Sequence, residues 1–200
     1  HQLRGLVAIN HPALPSGEIC MGCGWTAPTP WPDIDAIEVI NGGTMRSAMG
    51  RADVLNGIGF WQKQLDAGFQ ITAIAGSDNH DPDRPGDEAG SIGQPVTAVF
   101  AQALDQGQIL DAIRRGQVFI DLDSARQRTL DFRAEFANQG VQMGQNLILS
   151  KEGSVRFFVT ITHGEGTRLE VIDSTGTVTP LTPLAGATEA RWFTLKMDPK

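Results

Sequence analysis

The stretch Gly76-Ser77-Asp78-Asn79-His80-Asp81-Pro82 sets an aspartate and a histidine one residue apart, directly after the apolar run Ile71-Thr72-Ala73-Ile74-Ala75. At a strand exit, residues i and i+2 point the same way, so Asp78 and His80 can converge on one point. An imidazole nitrogen beside a carboxylate oxygen suits zinc, manganese or iron, whereas calcium wants more oxygen ligands. His11 follows another apolar run, Gly5-Leu6-Val7-Ala8-Ile9, and Glu38 and Asn41 close a third, Ile34 to Ile40. Each has a plainer reading, since His beside Pro and Gly-Ser-Asp-Asn are both common in turns. Their coincidence at three strand ends favours a metal site built from His11, Asp78 and His80.

The elements that must position these residues are legible from periodicity. Residues 5–9, 34–40, 71–75 and about 96–100 read as strands, and Val118-Phe119-Ile120 begin a fifth. Leu55, Ile58, Trp61 and Leu65 recur at helical spacing between Arg51 and Ala67, stopped by Gly68, and Ile109, Leu110 and Ile113 mark a short helix closed by Gly116. This alternation indicates an α/β domain with largely parallel strands, in which ligands gather at the carboxyl ends of strands. After about residue 125 the texture changes: LDFRAEF, VRFFVTIT, RLEVID and ARWFTLKM are short strand-like runs between Gly, Ser and Thr turns. The expected division is therefore an α/β part over residues 1–125 and a small all-β, sandwich-like module over 126–200. The charged stretch Asp121–Arg128 lies between them.

Composition bounds the rest. A hydrophobic fraction of 40% with 20% charged residues is that of a globular protein, and no apolar run is long enough to span a membrane. The formal net charge of −7 argues mildly against a nucleic-acid partner. The chain opens at His1 without a Met, straight into a strand-like run, and stops soon after another, so it reads as a piece cut from something longer. Any export signal would lie upstream, which leaves the compartment unspecified.

Four motifs in order, INHP (9–12), DAIEVING (35–42), GSDNHDP (76–82) and IGQPVTAVF (92–100), resemble the later motifs of the PHP superfamily of metal-dependent hydrolases, in its CehA/McbA-type branch. The resemblance covers about residues 1–122, and the β-rich segment is loosely similar to the module that follows the barrel in that branch. It implies the C-terminal part of a PHP-type (β/α)7 barrel followed by a small all-β module, and a phosphoesterase or related ester hydrolase using divalent transition metals (Zn, Mn or Fe), two or three in the intact protein. It also implies that His11, Asp78 and His80 are metal ligands, with Glu38 lining the site and Asn41 holding its turn.

A bound metal lowers the pKa of its water to roughly 7, and Asp78 is placed to bind the metal and to orient or deprotonate that water. The family's opening His-x-His and further ligands have no counterpart here: His1 stands alone, and His163 reads as a turn residue of the β module. An incomplete ligand set binds weakly, so these 200 residues alone are expected to have little activity.

The remaining candidates keep alternatives open. Cys20-Met21-Gly22-Cys23 is a loop staple or a pair of buried thiols, an additional metal contact, or a redox pair; without a second pair or a nearby His it is a weak zinc signal. Trp25 and Trp31 wall the substrate pocket or belong to an aromatic core. Arg84 meets an anionic substrate or is a solvated loop residue. The expected partner is a small-molecule ester, and the exposed strand edges of a half-barrel also allow a homo-oligomer. The alternative class is a non-catalytic protein with a degenerate barrel and a carbohydrate- or protein-binding β module.

Overall fold

The computed structural model describes residues 5–18, 20–21, 23–48, 52, 55–123, 127–181 and 184–198. His1, the start of the expected first helix at Arg51, and the 125/126 boundary lie outside the described residues. The chain divides into two compact units, residues 1–124 and 125–200.

In the first unit, β1 (Ala8–Ile9), β2 (Ala36–Asn41) and β3 (Thr72–Gly76) form a parallel sheet in the order β1-β2-β3. Every residue of β2 is buried, as a central parallel strand covered on both faces requires. Ile9 pairs with Ile37, and both join Val39, Ile40, Met45 and Ile71 in the core. Full burial of one such aliphatic side chain contributes about 1.5–3 kcal/mol. β1 is shorter than the apolar run that precedes His11 because Asp35 intervenes, its carboxylate accepting the Val7 N–H at 2.8 Å.

Between β2 and β3 lie α1 (Gly42–Ser47) and α2 (Ile58–Asp66). Asn41 caps α1 by accepting the Thr44 N–H, and the indole of Trp61 in α2 donates to the Ile71 carbonyl at 2.7 Å. The sheet shifts register between Glu38 and Ile40, and the bulged Val39 carbonyl accepts the Gly57 N–H at 2.7 Å. A Cβ on Gly57 would stand 2.8 Å from the Glu38 carbonyl oxygen, so only glycine brings this loop onto the strand.

β4 (Val96–Val99) and β5 (Val118–Asp121) pair antiparallel around α3 (Gln106–Arg114), which Asp105 caps. Thr97 of β4 bonds to β3: its Oγ1 accepts the Ala75 N–H and donates to the Ala75 carbonyl.

The second unit has a four-stranded antiparallel sheet in the order β11-β8-β6-β7, built from β6 (Thr129–Phe136), β7 (Gln139–Gln142), β8 (Gly153–Thr162) and β11 (Thr188–Met197). β9 (Glu170–Ile172) and β10 (Val178–Pro180) form a separate hairpin. One face of the larger sheet carries Val155 and Val159 with a stack of Phe132, Phe157 and Phe193.

The expected part of a PHP-type (β/α)7 barrel with its sandwich-like module is corrected by this architecture. Strands make up 32% of the structure and helices 15%, and no barrel closes among the described residues. The reason lies in the connections: β1 to β2 is joined by a loop with one 3-10 turn (Trp31–Asp33) and β3 to β4 by a loop. Among the described residues the β2–β3 connection is thus the helical crossover between parallel strands, while α3 joins β4 to β5, which pair antiparallel. No helix among the described residues is long and apolar enough to cross a membrane.

Candidate functional site at the sheet edge

His11 and Asp78 follow the carboxyl ends of β1 and β3, whereas Glu38, expected at a strand end, lies inside β2 between those two strands. His11 follows β1 and has φ 34°; Asp78 follows β3 and has φ 49°. Both occupy the left-handed region, which costs a non-glycine residue about 1–3 kcal/mol and persists where surrounding contacts over-determine it.

Those contacts centre on Glu38. Its Oε2 accepts the backbone N–H of His11 at 2.8 Å and the Asn41 side-chain amide at 3.1 Å. Its Oε1 faces Gly76, where an added Cβ would stand 2.9 Å away. Asn41 is held in turn, its Oδ1 accepting the Thr44 N–H at 3.0 Å. Glu38 and Asn41 are both buried. Burial pushes the Glu38 carboxyl above its ordinary value; hydrogen bonds from Asn41 and His11 and the His11 charge oppose the rise, and the Asp78 charge adds to it. Glu38 thus lies in the field of both His11 and Asp78.

Asp78 lies against α1, since a Cβ on Gly43 would stand 2.7 Å from its Oδ2. Its Oδ1 is 3.3 Å from His80 Nε2, and the His80 side chain is 82% exposed. Asn79 ties the following loop by donating to the Gly90 carbonyl at 2.7 Å. A shallow cavity at this edge is lined by His11, Glu38, Asn41 and Thr44, with Leu14 and Leu55 among its apolar walls.

The expected ligands are therefore linked in a chain of neighbours, His11 to Glu38 to Asp78 to His80. They are not closed into one cluster: among the described residues, the three-member group of His, Cys, Asp or Glu whose ligand atoms lie within 4.8 Å of one another is His11, Cys20 and Cys23. Cys20 and Cys23 are joined as a disulfide, and Cys23 Sγ lies 3.3 Å from His11 Nδ1. Sequence reasoning missed this meeting of His11 with the Cys pair. The signal was the spacing His11-x8-Cys20-x2-Cys23, which becomes a contact only when the intervening loop folds back.

Trp25 is placed elsewhere: it does not line the cavity, and its indole donates to Thr29 Oγ1 at 2.7 Å within its own loop. Trp31 packs with Phe60 and Phe69 against the core. Arg84 is largely covered and ion-paired with Asp81 and Glu88 of the same loop. His163, in the second unit, has its Nδ1 2.9 Å from the Gln127 carbonyl oxygen.

No protein-family model, curated protein or solved structure matches the chain.

Proposed function

We propose that the protein is a metal-dependent ester hydrolase, acting on a phosphoester or a carboxylic or carbamic ester, with His11, Asp78 and His80 as cation ligands. The observation that carries this reading is the arrival of His11 and Asp78 from different strands at one sheet edge, each in a left-handed backbone conformation, with Glu38 between them. The imidazole and carboxylate donors suit a zinc, manganese or iron ion. The likeness of the four motifs to PHP hydrolases supports the same reading.

When bound, such a cation supplies an activated water and a polarised ester oxygen. The chain's own residues do the rest. Glu38 fixes the His11 backbone, Asn41 fixes Glu38, and Gly43 and Gly76 leave room for the Asp78 and Glu38 carboxylates. Asp78 would orient the attacking water and take its proton, with His80 serving as a ligand beside it.

The test is hydrolysis of phosphodiester, phosphomonoester and aryl-ester substrates by the full-length protein, with Mn, Zn and Fe supplied in turn. Metal-dependent turnover that disappears in Asp78→Ala supports the reading. Absence of turnover with every metal, or turnover indifferent to Asp78, overturns it.

A second reading has its own observation. Trp192 is 69% exposed and pairs across strands with Phe158, over which Arg156 lies. Such a surface suits stacking by a sugar ring, as a carbohydrate-binding β module requires. Indole fluorescence during oligosaccharide titration, compared with Trp192→Ala, tests it.

A further inference from the structure

We propose that Cys20, Cys23 and His11 form a redox-gated site for a soft divalent cation of the Zn(II) class, present when the cysteine pair is a dithiol. The site shares His11 with the one read at Asp78 but takes its other ligands from Cys20 and Cys23, and it stands whether or not Asp78 holds a metal.

Two thiolates at Cys-x2-Cys spacing supply half of a tetrahedral zinc shell and need further ligands from elsewhere in the fold. His11 is that next ligand. Its Nδ1 is 3.3 Å from Cys23 Sγ, and the three ligand atoms lie within 4.8 Å of one another. Ligand atoms around a tetrahedral zinc stand about 3.5 Å apart, given metal–ligand bonds of about 2.0–2.3 Å. The fourth position is left for water or another donor.

The loop is built to hold this arrangement. Trp25 N–H donates to the Pro12 carbonyl at 2.9 Å and Leu14 N–H to the His11 carbonyl at 3.2 Å, so both ends of the loop are pinned together. Directly after Cys23, Gly24 turns the chain at φ 76°, and a Cβ there would stand 2.9 Å from the Leu14 carbonyl oxygen. The His11 backbone is fixed independently by Glu38. Such outside contacts orient the loop and His11, while the two sulfurs, bonded to each other in the disulfide, part to ligand spacing on reduction.

The disulfide state lacks thiolates and cannot ligate. A small-molecule or protein dithiol converts it: one reductant thiolate attacks the Cys20 sulfur, which is the more exposed of the pair, and the Cys20–Cys23 bond breaks. The second reductant sulfur releases Cys20, and the reductant departs as its own disulfide. Two electrons and two protons remain on Cys20 and Cys23, and Zn(II) binding then displaces those two protons to solvent. The oxidation state of the pair thereby decides whether His11 Nδ1 is held by a cation or merely faces a disulfide.

The experiment is Co(II) titration, as a spectroscopic stand-in for zinc, of the wild-type chain before and after dithiol reduction and anaerobic desalting. The reduced protein should develop a thiolate-to-cobalt charge-transfer band saturating at an equivalent of metal, and the oxidised protein should not. The band should vanish in Cys20→Ser and survive in Asp78→Ala. His11→Ala should weaken binding at least by the ~10-fold that even an outer-shell partner is worth. Absence of the band from reduced wild-type protein, its persistence in Cys20→Ser, or its loss in Asp78→Ala would overturn the proposal. Because the decisive comparison uses two redox states of one wild-type chain, a variant that fails to fold does not blunt it. Failure of ester hydrolysis leaves this result untouched.

Discussion

Glu38 Oε2 accepts the backbone N–H of His11 at 2.8 Å although the two residues are 27 positions apart. The bond joins the exit of β1 to the middle of β2 and fixes His11 in a backbone region that few histidines occupy. The same oxygen is held by Asn41, so one buried carboxylate connects a strand, a helix cap and a candidate ligand.

The raised Glu38 value gives a pH dependence whose sign is fixed. A carboxyl whose folded value exceeds its ordinary 4.5 stabilises the fold fully below that point, and the contribution is lost as pH rises through the folded value. In metal-free protein, wild type should therefore lose stability relative to Glu38→Gln as pH rises above 4.5. Melting temperatures of the two proteins across this window give the comparison. A difference that stays flat would show that Glu38 is not perturbed.

Asn41→Ala removes the α1 cap and strips a partner from Glu38, and should cost about 1–3 kcal/mol in denaturant unfolding. Asn41→Asp keeps the capping oxygen but sets a second carboxylate beside Glu38. Its penalty should be larger at neutral than at acid pH.

Neighbouring glycines should respond differently. A Cβ on Gly42 would stand 2.5 Å from the Ser77 carbonyl oxygen and 2.6 Å from that of Gln94, both backbone atoms. A Cβ on Gly43 would meet the Asp78 carboxylate, which can swing away. Gly42→Ala should thus destabilise by about 1–3 kcal/mol, the usual scale of overpacking. Gly43→Ala should keep most of the stability and weaken Mn(II) binding, as thermal melts with and without the ion would reveal.

In the second unit, Phe193 is buried against Val155-side neighbours and stacks on Phe157 at 5.1 Å between ring centroids. Phe193→Ala should cost about 3–5 kcal/mol by urea unfolding. A cost below 1 kcal/mol, the scale of a surface substitution, would mean that the stack carries little.

The sequence made the strands legible where apolar runs were short and bounded, as at 36–41, 72–76 and 153–162. The α2 helix was legible in its period, although its N-terminal half did not extend as far as Leu55 suggested. Strand direction was not. β4 and β5 carry the same apolar texture as parallel strands, and their antiparallel pairing is set by how the chain returns after α3. The site was legible as residue types at strand ends, because that depends on local order alone. Glu38 as the link between His11 and Asp78 depends on the parallel register of β1, β2 and β3. His11 beside Cys23 depends on closure of a loop, which no period encodes.

The most direct measurement is paramagnetic broadening of backbone amide resonances in the oxidised protein as Mn(II) is added. Mn(II) prefers oxygen and imidazole donors, so the cysteine pair does not compete. The account predicts that His11, Glu38, Asp78 and His80 broaden together at the lowest metal additions and that Asp78→Ala abolishes the effect. Broadening confined to the acidic loop at Asp81, Asp83 and Glu88, with His11 unchanged, would contradict a shared cation at the sheet edge.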